Sequence, residues 1–375
     1  MQGTKTVVAR RVGPDAQQVS GGRLPAGCPA ATALTVWALL SACSGVQAAE
    51  VPATLKTVQT YLTQRLTVQA AGTAQLVRGA DAYYALARAA GFDYRKLSAN
   101  TAAVQAALKE ARDGWTKASP VYEEIEGIVA GVNSLSAYDV ILDAGTSAAE
   151  GGDAVALYDL KLPSGHVLSR PGNLFGVNEG TLWNTVTSFS SGVAFDVDGD
   201  GKLGFGDRLP DANVLKAAAA ELNRQTGLLR KAAATWQPTR ADVFGALLGN
   251  VPTVGPVFFE NWKTSRFVLG NATTRRDFVV ISRLSDLSGN VASWEAMYRG
   301  LSAEVKAKNP QLDTQIRAGL SGLNSYVLRL ATLEKRRHFT PEQADSLQAE
   351  AQNRATAITG RITQAAALLG VKVSE

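Results

Sequence analysis

Apolar residues in the outer thirds of this chain return every three or four positions, a period that buries one face of a helix and excludes a half-buried strand. Over 52–90, Leu55, Val58, Tyr61, Leu62 and Leu66 fall on one such face. Gly91 to Tyr94 interrupts the run. A second helix is predicted over 98–132 through Leu108, Trp115 and Ile125, bent at Pro120, where the backbone has no N–H to give. Together they make a helical hairpin. Asp211 is a good N-cap for a helix through Leu215, Leu222, Leu228 and Leu229 to about Thr235, and further helices are predicted over 274–306 and 310–336. The last helix has the clearest start: Thr340 caps it, Pro341 suits its first position and Gln343 completes a capping box. Leu347, Ala351, Ala355, Ile358, Ile362, Ala366 and Leu369 line its face, and Gly370 ends it.

The middle third reads differently. Leu157, Leu160, Leu162, Val167 and Leu168 flank Pro163-Ser164-Gly165 and predict a small β-hairpin, followed by a short helix over 178–189. The stretch 244–268, rich in Gly, Pro and aromatic residues, predicts short helices and turns. The fold class is therefore all-α. Its parts are a leader over 1–49, the first helical bundle's N-terminal part over 50–150, an irregular insertion over 151–210, and the remaining helical bundle or bundles over 211–375.

The leader contains the apolar run AATALTVWALLSA over 30–42, preceded by basic residues and too short to span a bilayer, which is the pattern of a signal peptide. Val46-Gln47-Ala48-Ala49 offers small residues for ordinary cleavage, whereas Leu40-Ser41-Ala42-Cys43 resembles a lipobox that would leave a lipid anchor on Cys43. Either route implies export, to the periplasm or to the outer side of the cytoplasmic or outer membrane. Cys28 and Cys43 are the only cysteines, so the mature chain is expected to rest on its packed core without disulfides. Lys5, Arg10, Arg11 and Arg23 against Asp15 place most of the net charge of +5 in the leader, and no Lys/Arg run suggests nucleic acid as a partner.

The insertion carries the most specific motif. Asp196-Val197-Asp198-Gly199-Asp200-Gly201-Lys202-Leu203-Gly204-Phe205-Gly206-Asp207 puts carboxylates at loop positions 1, 3, 5 and 12, as in an EF-hand ligand loop. Asp196, Asp198 and Asp200 would converge on Ca2+, Gly201 permits the sharp turn, the Lys202 carbonyl ligates, and Leu203 is expected to anchor the loop on apolar neighbours. Asp207 is shorter than the usual Glu, which points to a structural or weak extracellular-type site rather than a sensor. Without a cation, four carboxylates in so short a loop repel one another.

Three further stretches resemble the imelysin-like family, which includes periplasmic iron-uptake proteins of the EfeO and EfeM type. Tyr122-Glu123-Glu124-Ile125-Glu126 is similar to the family's Tyr-Glu-x-Ile-Glu, and Phe175-Gly176-Val177-Asn178-Glu179-Gly180-Thr181-Leu182-Trp183 to its Phe-His-x-x-Glu-x-x-Leu-Trp. Asp286-Leu287-Ser288-Gly289-Asn290-Val291 resembles its Asp-Phe-x-Ala-Asn-Val helix, and the tail from Asn309-Pro310 to Gly370 its closing helix pair. The resemblance implies two four-helix bundles in tandem with a metal site between them. The family's histidine falls on Gly176, which leaves Glu179 alone of that pair.

Glu123, Glu126, Glu179 and Asp286 could then form an all-oxygen site for iron or another divalent metal, or could be ordinary exposed helix-face carboxylates. His166 and His338, the two histidines, read as surface residues. A zinc peptidase of the His-Glu-x-x-His type needs two imidazoles on one helix face, and neither that motif nor a Gly-x-Ser-x-Gly elbow, a phosphate loop or a dinucleotide fingerprint occurs. No enzyme is expected. Two readings of function remain: an envelope metal-binding accessory of iron uptake with an envelope transport partner, or a calcium-stabilised structural or interaction protein.

Overall fold

The two longest apolar stripes form helices α1 (Ala53–Ala89) and α2 (Thr101–Gly131) in a computed structural model that describes residues 53–152 and 154–372. The leader, with both cysteines and its cleavage motifs, lies outside the described residues. A 3-10 turn over Tyr94–Asn100 joins the two helices, capped by Asp93, and α2 runs on through Pro120. Small residues bring α1 and α2 together: a Cβ on Gly72 would lie 2.9 Å from the Ala118 nitrogen, and Cβ atoms on Gly79 and Gly114 would collide with the Ala111 and Leu76 backbones.

A short helix α3 (Ser136–Asp139) then runs into a π-type turn over Val140–Ala144. The predicted hairpin forms from β1 (Asp159–Lys161) and β2 (Val167–Ser169), with Leu160 opposite Leu168. Helix α4 spans Leu174–Leu182, not 178–189. Asn173 caps it by accepting from the Gly176 N–H, and Asn184, at φ +56°, turns the chain away before a separate 3-10 turn at Thr187–Phe189.

The acidic loop joins two strands that the sequence reading did not anticipate, β3 (Ser190–Ala194) and β4 (Arg208–Pro210), which pair antiparallel. Asp211 then caps α5 (Ala212–Thr235) through the N–H groups of Asn213 and Val214. Short helices fill the next region as expected: α6 (Arg240–Asn250), α7 (Glu260–Thr264) and α8 (Arg266–Leu269). Helix α9 covers Arg283–Lys308, so its N-terminus is nine residues short of the expected 274. The missing part is irregular because the backbone N–H groups of Phe278, Val279 and Val280 all bond to the Glu179 carboxylate, leaving none for a helical ladder. Helices α10 (Pro310–Glu334) and α11 (Pro341–Leu368) close the chain, the latter with the predicted Thr340/Gln343 capping box.

Helices α1, α2, α5 and α9 pack as one bundle, and α9, α10, α11 and α6 as a second, with α9 common to both. A continuous apolar core runs from Leu55 to Ala366 through this shared helix. The polar side chains of interest lie where α2 and α9 cross.

Candidate metal site

Gly127 and Gly289 let those two helices approach. A Cβ on Gly289 would stand 2.9 Å from the Glu123 Cβ, and one on Gly127 would meet the Ser293 and Trp294 side chains. The crossing gathers Glu123 and Glu126 from α2, Asp139 from α3, Asp143 from the π-type turn, and Arg283, Asp286 and Asn290 from α9. Gly145 ends that turn, where a Cβ would strike the Val140 carbonyl oxygen. Glu123, Glu126 and Asp143 each bring one carboxylate oxygen to within 4.8 Å of the others. Asn290 Nδ2 donates to Glu126 Oε2 at 2.5 Å and to Glu123 Oε2 at 2.8 Å. Arg283 Nη1 donates to Asp286 Oδ2 at 2.9 Å and reaches Glu123 Oε1 at 3.4 Å, while Tyr122 donates its hydroxyl to Asp139 Oδ1 at 2.8 Å.

These groups have left water. Glu123 is 2% exposed, and Asp286, Glu179 and Arg283 are each 3% exposed, so the helix-face alternative does not hold for the three acids. Glu126 is partly buried. Burial, then the neighbouring Asp286 and Glu126, push the Glu123 carboxyl well above its usual range. Burial followed by Glu126 does the same to Asp143. Asp139 is pushed up to about 8 by burial and Glu126, against the Tyr122 hydrogen bond. Asp286 reaches about 6 because burial outweighs the pull of Arg283. Burial opposes the charge of Arg283, but Asp286, Glu123, Glu126 and Asp143 more than offset it and raise its pKa. The cluster therefore holds more carboxylates than its guanidinium can neutralise, a state that favours protons or a bound cation.

Beside the cluster is a cavity with about 20 Å³ of space for the centre of a water-sized sphere, enough for a single water or ion. Glu123, Asp143, Asp286, Gly176, Glu179 and Trp115 are among the residues that line it. Gly176 brings no side chain to this wall. Glu179 is not one of the converging ligands. Its two oxygens accept the N–H groups of Phe278, Val279 and Val280, each at 3.0 Å, and burial pushes it up to about 8 against those bonds. Phe278 sits at φ +53°, which costs a non-glycine residue on the order of 1–2 kcal/mol. Glu179 on its N–H and Arg283 against its ring hold it there.

Of the four acids expected from sequence, Glu123 and Glu126 converge, Asp286 is paired with Arg283, and Glu179 lies across the cavity as a backbone clamp. Asp139, Asp143 and Arg283 were missed. A signal existed: two Asp four residues apart inside the apolar run Leu135 to Ala144 have no solvent-facing stripe to occupy. His166 and His338 are exposed, as expected.

The acidic loop is a second meeting of carboxylates, with oxygens of Asp196, Asp198 and Asp207 within 4.8 Å of one another. Asp200 stays outside that trio and accepts from the Lys202 N–H at 2.8 Å. Leu203 does not anchor the loop, being 66% exposed; Val197, at 3%, takes that part, because Asp207 Oδ1 accepts its N–H and draws the loop's first turn inward. Two side chains of α2 hold the loop: Gln105 donates to the Asp196 carbonyl at 2.8 Å, and Arg112 donates to the carbonyls of Gly206 at 2.6 Å and Leu182 at 3.0 Å.

The family model Peptidase_M75, described as imelysin, matches residues 62–362. A comparison with curated proteins finds no match.

Proposed function

The chain belongs to the imelysin family, and from that membership together with its buried carboxylates we propose that it is an exported cell-envelope protein that binds a hard cation as an accessory of iron or other metal uptake. The observation that carries this reading is the convergence of Glu123, Glu126 and Asp143 oxygens beside a cavity of single-ion size, in a cluster with surplus negative charge. Oxygen-only ligands suit hard cations such as iron(III), Mn2+, Mg2+ or Ca2+, and fit copper or zinc less well. The proposed role is binding rather than zinc-peptidase hydrolysis, since His166 and His338 are exposed and neither lines the cavity. The test is titration of metal-free protein from residue 50 onward with iron(III) and Mn2+, beside Glu123→Gln, Glu126→Gln and Asp143→Asn. Stoichiometric binding that each substitution weakens at least tenfold supports the reading. Unchanged binding overturns it.

A second reading is favoured by Gly176 and by the engagement of Asp286 and Glu179 with the chain itself. In it the protein has lost the family's iron site and serves as a calcium-stabilised structural or interaction protein of the envelope. Under either reading Ca2+ is the proposed occupant of the Asp196–Asp198–Asp207 loop and Cys43 the proposed lipid anchor; the proposed partner is an envelope iron-transport protein under the first and another cell-envelope protein under the second. Iron in protein purified from its own envelope supports the first reading, and calcium without iron supports the second.

A further inference from the structure

We propose that Arg283 is a resident cation of the buried cluster, competing with any metal for the same carboxylates and thereby setting the affinity and charge preference of the site. The inference rests on reading that cluster as a cation site.

The geometry supplies the grounds. Both oxygens of Glu123 are already engaged, Oε1 by Arg283 at 3.4 Å and Oε2 by Asn290 at 2.8 Å. A metal bound to Glu123 would share that carboxylate with the guanidinium. Asp286 is withheld from the converging trio because its Oδ2 accepts from Arg283 at 2.9 Å. The guanidinium carbon lies over two aromatic rings, 4.1 Å from the centroid of Phe278 and 4.5 Å from that of Phe258. Phe278 is itself fixed by the clamp on Glu179. Arg283 Nε finds no acceptor among the described residues although the side chain is 3% exposed, so hydrogen bonding alone does not account for its place. The two rings hold the charge where it faces Glu123 and Asp286, with little water to screen it.

A fixed positive charge repels a bound cation in proportion to that cation's own charge. Its removal should therefore tighten binding, and tighten it more for a trivalent than for a divalent ion. A loss of packing or of fold does not produce that charge dependence.

The test uses protein from residue 50 onward carrying Asp196→Ala and Asp198→Ala, which remove the loop's ligands, and compares Arg283→Met with Arg283→Lys. Calcium and terbium(III), similar in size and different in charge, are titrated into each. Arg283→Met is expected to bind Ca2+ about tenfold and terbium about thirtyfold more tightly than its parent, the ratio that charges of two and three require. Arg283→Lys, which keeps the charge, is expected to stay within about threefold of the parent. If Arg283→Met fails to fold, Arg283→Gln, which removes the charge but keeps a hydrogen-bond donor for Asp286 and Glu123, carries the same expectation. Equal gains for both ions, or none, overturn the proposal. Parent binding with no gain in the variant leaves the cation site standing and removes Arg283 from it. Binding in the variant alone supports the competition while sinking the claim that the natural chain takes up metal. Absence of binding in both sinks both.

Discussion

A carboxyl group taken out of water must be protonated, paired or ligated, and Asp139, Asp286 and Glu179 show in their raised pKa values of about 8, 6 and 8 which way each leans without a metal. In the unfolded chain such groups titrate near 4, so the folded state binds more protons between about pH 4 and pH 8, and stability falls as pH rises through that window. Each unit of upward shift corresponds to about 1.4 kcal/mol lost once the group ionises. Metal-free protein is therefore expected to melt several degrees lower at pH 8 than at pH 5 by circular dichroism. Asp139→Asn should flatten the slope. At this scale Glu123 and Asp286 were legible because their motifs resemble a family, whereas Arg283 was overlooked. Three residues before Asp286 it looks like a helix-surface charge, and only the arrival of Phe258 and Phe278 makes it a buried one.

Among the elements, the α1–α2 pair depends on glycine at its crossing. Any side chain on Gly79 or Gly114 would strike backbone of the facing helix rather than a flexible side-chain tip. Gly79→Val is expected to destabilise by about 3 kcal/mol or more in urea unfolding, whereas Gly227→Ala in α5, with open space around it, should stabilise by about 0.5–1 kcal/mol. Periodicity revealed α1, and periodicity together with capping residues revealed α5 and α11, because each buries one continuous stripe. It placed the start of α9 too early and that of α4 too late for opposite reasons. The residues before Arg283 have helix-compatible composition, but their N–H groups are consumed by Glu179, a side chain about 100 positions away. Asn173 starts α4 through its own side chain, a local signal outweighed by the glycines that follow. Strands β3 and β4 escaped notice because they are short and flank the acidic loop.

The whole molecule is stabilised by anything that binds its folded state alone. The acidic loop is tied to α2 by Gln105 and Arg112, and α2 belongs to the shared core, so calcium at the loop should act on the global transition rather than on a fraying hairpin. Protein from residue 50 onward is expected to melt higher in calcium than in chelator, and Asp196→Ala together with Asp200→Ala should remove the difference. Equal melting temperatures in the unsubstituted chain would refute calcium binding there. The Glu179 clamp has a readout of its own. The amides of Phe278, Val279 and Val280 belong to no helix or strand, yet each faces a buried carboxylate oxygen. In deuterated water all three should exchange as slowly as helical amides of the core, and Glu179→Ala should return them to the rate of an open loop while α10 and α11 keep theirs. The time those protons take to leave would then measure how often the cavity wall opens, and so how often an ion could enter or escape.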